Sequence, residues 1–180
     1  MATKKAAKRP TKKKSSSAKS ASRAVKVPKT EAITQLTADH ARVKKMFKQY
    51  DRLAKADAGD REKQQVASLI CAELTAHATA EEELFYPAAR RALDEPDLID
   101  EADVEHATAK DLIAQIEGSS PSDDHYDAKV KVLGEYINHH VEEEEGEIFP
   151  KVRKAKLDTV SLGEQIAERK AQIMQEKGMA

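Results

Sequence analysis

Four stretches of this chain repeat apolar residues at unbroken three- and four-residue intervals, and one histidine interrupts each stripe. Such spacing keeps side chains on one helix face, which must be buried against a neighbour. The first stripe runs Ile33, Leu36, His40, Val43, Phe47, Tyr50 and Ala54. The second runs Ala67, Ile70, Leu74, His77, Glu81, Leu84 and Ala88. The third is Ile99, Ala102, His106, Ala109, Ile113 and Ile116; the fourth is Val130, Leu133, Ile137, His140 and Glu144, with Ile148 expected to take the core place of Glu147. These stripes predict helices over roughly 31–56, 61–93, 97–117 and 125–156, and a shorter helix over about 160–176 packing outside them. Gly59-Asp60, Pro96 and the run GSSPSDD mark the turns. Three short connections between long helices give an all-α fold, an up-down-up-down antiparallel four-helix bundle.

A buried seam should be apolar, so its polar members carry the chemical information. His77 is followed four residues later by Glu81, and His140 by Glu144. That spacing sets both side chains on one face, about one turn apart. A buried carboxylate without a cation or donors is costly. The segments also repeat: HATAEEELFYP (77–87) matches HVEEEEGEIFP (140–150), with His ten residues and Glu six residues before a proline in each. Two similar hairpins therefore each supply one His and then His-x-x-x-Glu. Packed about a pseudo-two-fold axis, they bring four imidazoles and two carboxylates to a similar depth. Two half-sites of mixed nitrogen and oxygen ligands suit two first-row metal ions: iron, with manganese or zinc as alternatives.

A lone seam histidine is usually a hydrogen-bonded core residue, and Glu-rich runs usually face water. Four histidines on four seams, with a repeated His-x-x-x-Glu, do not fit that reading. His125 follows a polar loop and is expected in solvent. His139 points about 100° away from His140 and is not expected to be a ligand. Glu82, Glu83, Glu142, Glu143 and Glu145 are expected mostly at the surface, with a role open to one of them in orienting an imidazole. Cys71 lies among apolar residues and reads as core packing. A single cysteine leaves no internal disulfide and fits a reducing compartment.

Charge divides the chain. Residues 1–30 hold eleven Lys and Arg and no acid, leaving 20 basic against 32 acidic residues in the remainder. This Lys/Ala/Ser-rich tail lacks apolar periodicity and is predicted to be disordered. The expected organisation is thus tail 1–30, bundle 31–156 and helical extension 157–180. Neither a secretory core nor a run of about 18 apolar residues is present. The expected location is cytoplasmic, without membrane contact. The tail resembles the basic tails of histone-like proteins, so nucleoid association and non-specific DNA contact through residues 1–30 form the alternative function.

The pairs DH in the first helix and EH in the third, with HATAEEELFYP and HHVEEEEGEIFP, resemble the hemerythrin-like HHE cation-binding domain over roughly residues 31–156. The resemblance implies a non-haem di-iron centre bridged by two carboxylates, with iron ligands His40, His77, Glu81, His106, His140 and Glu144. Oxygen-carrying members bind dioxygen at an open coordination position. They also place a second histidine four residues after the third-helix ligand, where this chain has Lys110. Four histidines leave more open coordination than five. The resemblance then implies binding or sensing of dioxygen, nitric oxide, peroxide, or iron and redox state. An enzymatic variant would be a di-iron peroxidase or oxidase. No catalytic residue is assigned.

Overall fold

The structure, a computed structural model, describes residue 1, residues 30–155 and residues 157–179. The predicted disorder of the basic tail concerns residues that fall, apart from Met1 and Thr30, outside this description. Among the described residues the protein is helical throughout, without strands. Helix α1 spans Ala32–Lys55 and α2 spans Asp60–Ala80. A π-helical turn, Glu81–Phe85, carries α2 into α3, Tyr86–Ala92. Helix α4 is Pro96–Glu117. Helix α5, Tyr126–Glu143, runs through a second π-turn, Glu144–Ile148, into α6, Phe149–Lys154. Helix α7 is Thr159–Glu176, capped by Asp158, whose carboxylate accepts from the Ser161 amide.

The α2–α3 and α5–α6 composites are the second and fourth helices of an antiparallel up-down-up-down bundle. Around the ring α1 packs on α2 and α5, and α4 packs on the same two. Helix α7 lies outside this ring, against α1 and α2. It is nonetheless part of the core, because Leu162 and Ile166 pack with Ala32, Ile33 and Leu36. Close approach is permitted by Gly163, where a Cβ would meet the Thr30 carbonyl oxygen at 2.1 Å. Gln35 ties the same place together by donating to the Thr30 and Gly163 carbonyls.

Two apolar clusters fill the bundle. One, at the π-turn end, includes Leu36, Phe85, Tyr86, Ile99, Ile148 and Phe149. The other includes Val43, Ile70, Cys71, Leu74, Ile113 and Leu133. Burial pushes the Cys71 thiol up to about 12, in keeping with a packing role. Between the clusters lies a buried polar layer: Asp39, His40, His77, Glu81, Glu105, His106, His140 and Glu144.

Candidate metal centre

Each π-turn begins at a glutamate of the polar layer. The amide of Tyr86 bonds the carbonyl of Glu81, and that of Phe149 bonds the carbonyl of Glu144, five residues back in each case. Pro87 and Pro150 follow at once, and a proline ring clashes with the carbonyl four residues behind it. Widening the turn relieves the clash. It also inserts one residue, so adjacent side chains both enter the core: Phe85 with Tyr86, and Ile148 with Phe149. A uniform helical register places Leu84 inward at this point; the structure has Phe85 fully buried and Leu84 only partly so.

The structure brings together all six sequence-predicted residues. His40 and His77 face each other with Nε2 atoms 3.1 Å apart, and His106 and His140 do the same at 3.1 Å. Glu81 Oε2 lies 3.0 Å from His77 Nε2 and 3.6 Å from His106 Nε2. Glu144 Oε2 lies 3.3 Å from His40 Nε2 and 3.6 Å from His140 Nε2. Each carboxylate thus reaches from one imidazole pair to the other.

The opposite edge of every imidazole meets an acid. Nδ1 of His40 is 2.9 Å from Glu145, that of His77 3.4 Å from Asp39, that of His106 3.1 Å from Glu82, and that of His140 2.6 Å from Glu105. An ionised carboxylate only accepts, so each Nδ1 carries the proton, and a neutral ring then presents a bare Nε2 lone pair to the centre. Two such lone pairs at 3.1 Å repel unless a proton or metal ion lies among them. The carboxylates pose the same demand. Among the described residues, Glu81 Oε1 and Oε2 and Glu144 Oε2 are buried side-chain oxygens without a hydrogen-bond partner. Converging imidazole nitrogens and orphaned carboxylate oxygens form a donor set that fits first-row cations. His40, His77, Glu81 and Glu144 form one cluster able to hold an ion, and Glu81, His106 and His140 another.

The electrostatics agree. Burial alone would raise the Glu144 carboxyl and lower the His77 imidazole. Facing groups overcome burial: the adjacent His40 imidazole, with His140 and His77, holds Glu144 down at about 2, and Glu81 and Asp39 lift His77 to about 10.

Three features escaped the sequence reading. Asp39 and Glu105 directly precede ligand-position histidines, yet each serves the histidine of the neighbouring helix. Tyr86 donates to Glu144 Oε1 at 2.9 Å and lies 3.3 Å from His106 Nε2; burial and the Glu144 charge keep its phenol protonated. Lys170 of α7 donates to Asp39, in contact with the layer from outside the ring. Of the glutamates expected mainly at the surface, Glu82 and Glu145 hold imidazoles, whereas Glu83 pairs with Arg169. His125 is exposed, and His139 is exposed and 3.3 Å from Glu143. Lys110 sits outside the layer, donating to Glu82.

Known proteins place this arrangement. A DNA nickase from Nostoc sp. is 34% identical over 116 residues, covering 64% of this chain and 31% of that protein. This chain therefore spans about a third of that relative's length. The crystal structure of a hemerythrin HHE cation binding domain-containing protein from Mycobacterium kansasii has the same fold, with a TM-score of 0.67 at 23% identity over 82% of this chain and 89% of that one. The sequence profile of the hemerythrin HHE cation binding domain matches residues 31–152. A match of that extent settles the family: the chain belongs to the hemerythrin HHE cation-binding domain family.

Proposed function

We propose that the polar layer holds a pair of non-haem iron ions through His40, His77, Glu81, His106, His140 and Glu144, and that the centre binds or senses dioxygen or a related small molecule such as nitric oxide or peroxide. The observation that carries this reading is the pair of glutamates whose unpartnered oxygens reach both imidazole pairs. Iron bound there would supply redox-active coordination positions for a small ligand. The chain's own part is positional. Four acids orient four imidazoles, Tyr86 holds Glu144 by one oxygen, and apolar clusters above and below exclude water.

Elemental analysis with an optical spectrum of protein reconstituted anaerobically with ferrous iron tests the reading. We expect about two irons per chain and a spectrum that changes on exposure to dioxygen or nitric oxide. Folded protein that takes up no iron would overturn it. Turnover with peroxide separates a peroxidase from a sensor.

The charge division supports a second reading, in which the tail contacts DNA. Eleven cations in residues 1–30 suffice for phosphate contacts without base readout. Affinity should fall steeply with salt, and deleting residues 1–30 should abolish it while metal content stays unchanged. Tight DNA binding by the truncated, acidic bundle would contradict this assignment.

A further inference from the structure

The repeat that supplies the central donors also supplies the acids behind them. Asp39 and Glu105 each precede a histidine of the layer and hold the imidazole of the next helix, His77 and His140 respectively. Glu82 and Glu145 each follow a central glutamate and hold His106 and His40. The acids therefore match across the repeat, but the cations on them do not. Lys170 donates to Asp39 and Lys110 to Glu82. Among the described residues no Lys or Arg pairs with Glu105 or Glu145, and Glu105 lies instead beside Glu143 and the exposed His139.

Both lysines break the repeat in the same direction. His77 and His106 are the two imidazoles that Glu81 reaches, at 3.0 and 3.6 Å, and they are the two with an ammonium behind their acid. His40 and His140 are the two that Glu144 reaches, at 3.3 and 3.6 Å, and the acids behind them carry no ammonium or guanidinium. The lysines come from unrelated places, Lys170 from α7 and Lys110 from α4. Lys44 is the counterpart of Lys110, four residues after His40 as Lys110 is after His106. It lines a groove of about 540 Å³ between α1 and α5, and among the described residues it pairs with no acid of the layer. That groove is floored by Phe47 and Ile137, and its walls carry three lysines and three acids, so it adds no net charge beside His40.

An ionised carboxylate that accepts the Nδ1 proton makes the opposite ring nitrogen a stronger donor and favours the higher oxidation state of a bound metal. An ammonium on that carboxylate withdraws part of the effect, and beside a buried layer its own charge is weakly screened. We propose that Lys170 and Lys110 tune the reduction potential of the iron pair through Asp39–His77 and Glu82–His106, raising it from the Glu81 edge alone. This tuning rests on the proposed iron centre. Neither lysine reaches a donor atom; each acts through an acid and an imidazole. Lys170 should weigh more, its side chain being 15% exposed against 44% for Lys110.

The test follows the first one-electron midpoint of the full-length, iron-loaded protein by spectroelectrochemical titration, with helicity checked by circular dichroism. Removing a cation favours the ferric state, so Lys170→Gln should lower the midpoint by about 59 mV, a tenfold shift of a one-electron equilibrium, and Lys110→Gln by less. Lys170→Arg and Lys110→Arg keep the charge and should restore it. Lys44→Gln, the same change at the equivalent position, should leave it in place. A midpoint unchanged in both Gln variants, with only iron affinity reduced, would overturn tuning and leave a mere brace. An equal shift in Lys44→Gln would overturn the route through the acids. Imidazole nitrogen-15 NMR of the metal-free protein separates these failures from that of the iron centre. The Nδ1 proton of His77 should move downfield in Lys170→Gln and that of His106 in Lys110→Gln, as each hydrogen bond to the freed acid strengthens. If wild type takes up no iron, the proposed centre fails, while these shifts still support an action of the lysines on the imidazoles; unmoved protons would overturn it.

Discussion

The His40–His77 half of the polar layer and the His106–His140 half are built from the same parts and set in different surroundings. Each has two imidazoles, a glutamate at the head of a π-turn, and acids behind the rings. The differences begin one residue before the shared prolines. Phe149 lies flat against His40, with ring centres 5.7 Å apart and planes 5° apart, while its counterpart Tyr86 brings a hydroxyl to Glu144 beside His106. Behind the rings, Asp39 receives Lys170, whereas Glu105 opens toward Glu143 and His139. One half is braced by a cation and bordered by an apolar groove; the other is acidic on its outer side. A repeated motif supplies the donor frame, and the residues that break the repeat decide what approaches each side.

The largest expected effect breaks both halves at once. Glu81→Gln and Glu144→Gln should each lower metal occupancy by more than half, because each carboxylate reaches both imidazole pairs. At metal concentrations around a thousandfold above the dissociation constant, this forfeits roughly 4 kcal/mol of stabilisation, read as a lower melting temperature of the metal-loaded protein. The apo forms should diverge. Both variants lose a charge that faces the imidazoles, with Glu81 3.0 Å from His77 Nε2, but Glu144→Gln also disturbs the Tyr86 bond and should lower the apo melting temperature further. Equal apo behaviour would erase the asymmetry.

Acid should find the braced half. Burial raises the Asp39 carboxyl, but His77 and Lys170 outweigh it and hold it at about 2 against an ordinary 3.8. A depressed carboxylate contributes stability in full above its unfolded value and loses it as pH falls through the folded one. Asp39 should therefore supply on the order of 2 kcal/mol to the apo protein at pH 5, lost toward pH 2. Urea midpoints between those pH values should fall less in Asp39→Asn than in wild type.

A smaller effect separates the two aromatic counterparts. Tyr86→Phe leaves a buried Glu144 oxygen unpaired in the apo protein and should cost about 1–2 kcal/mol by denaturant unfolding. Phe149→Tyr places a hydroxyl where the structure shows a ring stacked on His40 and should not rescue it. The smallest effect belongs to Lys110→Gln. Its pair with Glu82 is partly exposed, at 44% and 28% of the two side chains, so the loss should stay under about 1 kcal/mol with metal content near wild type.

The helices and the six central side chains were legible because both follow from one period: a residue on the seam of an amphipathic helix faces the axis whatever its neighbours are. The acids behind the imidazoles obey no such rule. Asp39 lies one residue off the α1 seam and reaches a ring on α2, so its partner follows from the placement of two helices and not from either alone. The acid before each histidine in DH and EH, and the glutamate directly after each ligand-position glutamate, were the available signals. Tyr86 was hidden by the π-turn, which rotates it inward from a position that an unbroken register assigns to the flank. The paired prolines marked that turn without giving its width.

Helix α7 has a practical consequence. The family profile stops at residue 152, but the unit that folds does not. Cutting the chain at residue 155 would preserve every proposed metal ligand while uncovering Leu36 and Phe85, and would leave the carboxylate behind His77 without its ammonium. The profile draws its boundary around the donors, whereas folding draws it around what keeps one of those donors pointed inward. A protein trimmed to the former would carry the same motif with a slack His77, so the choice of end-point decides what a metal measurement on this chain is measuring.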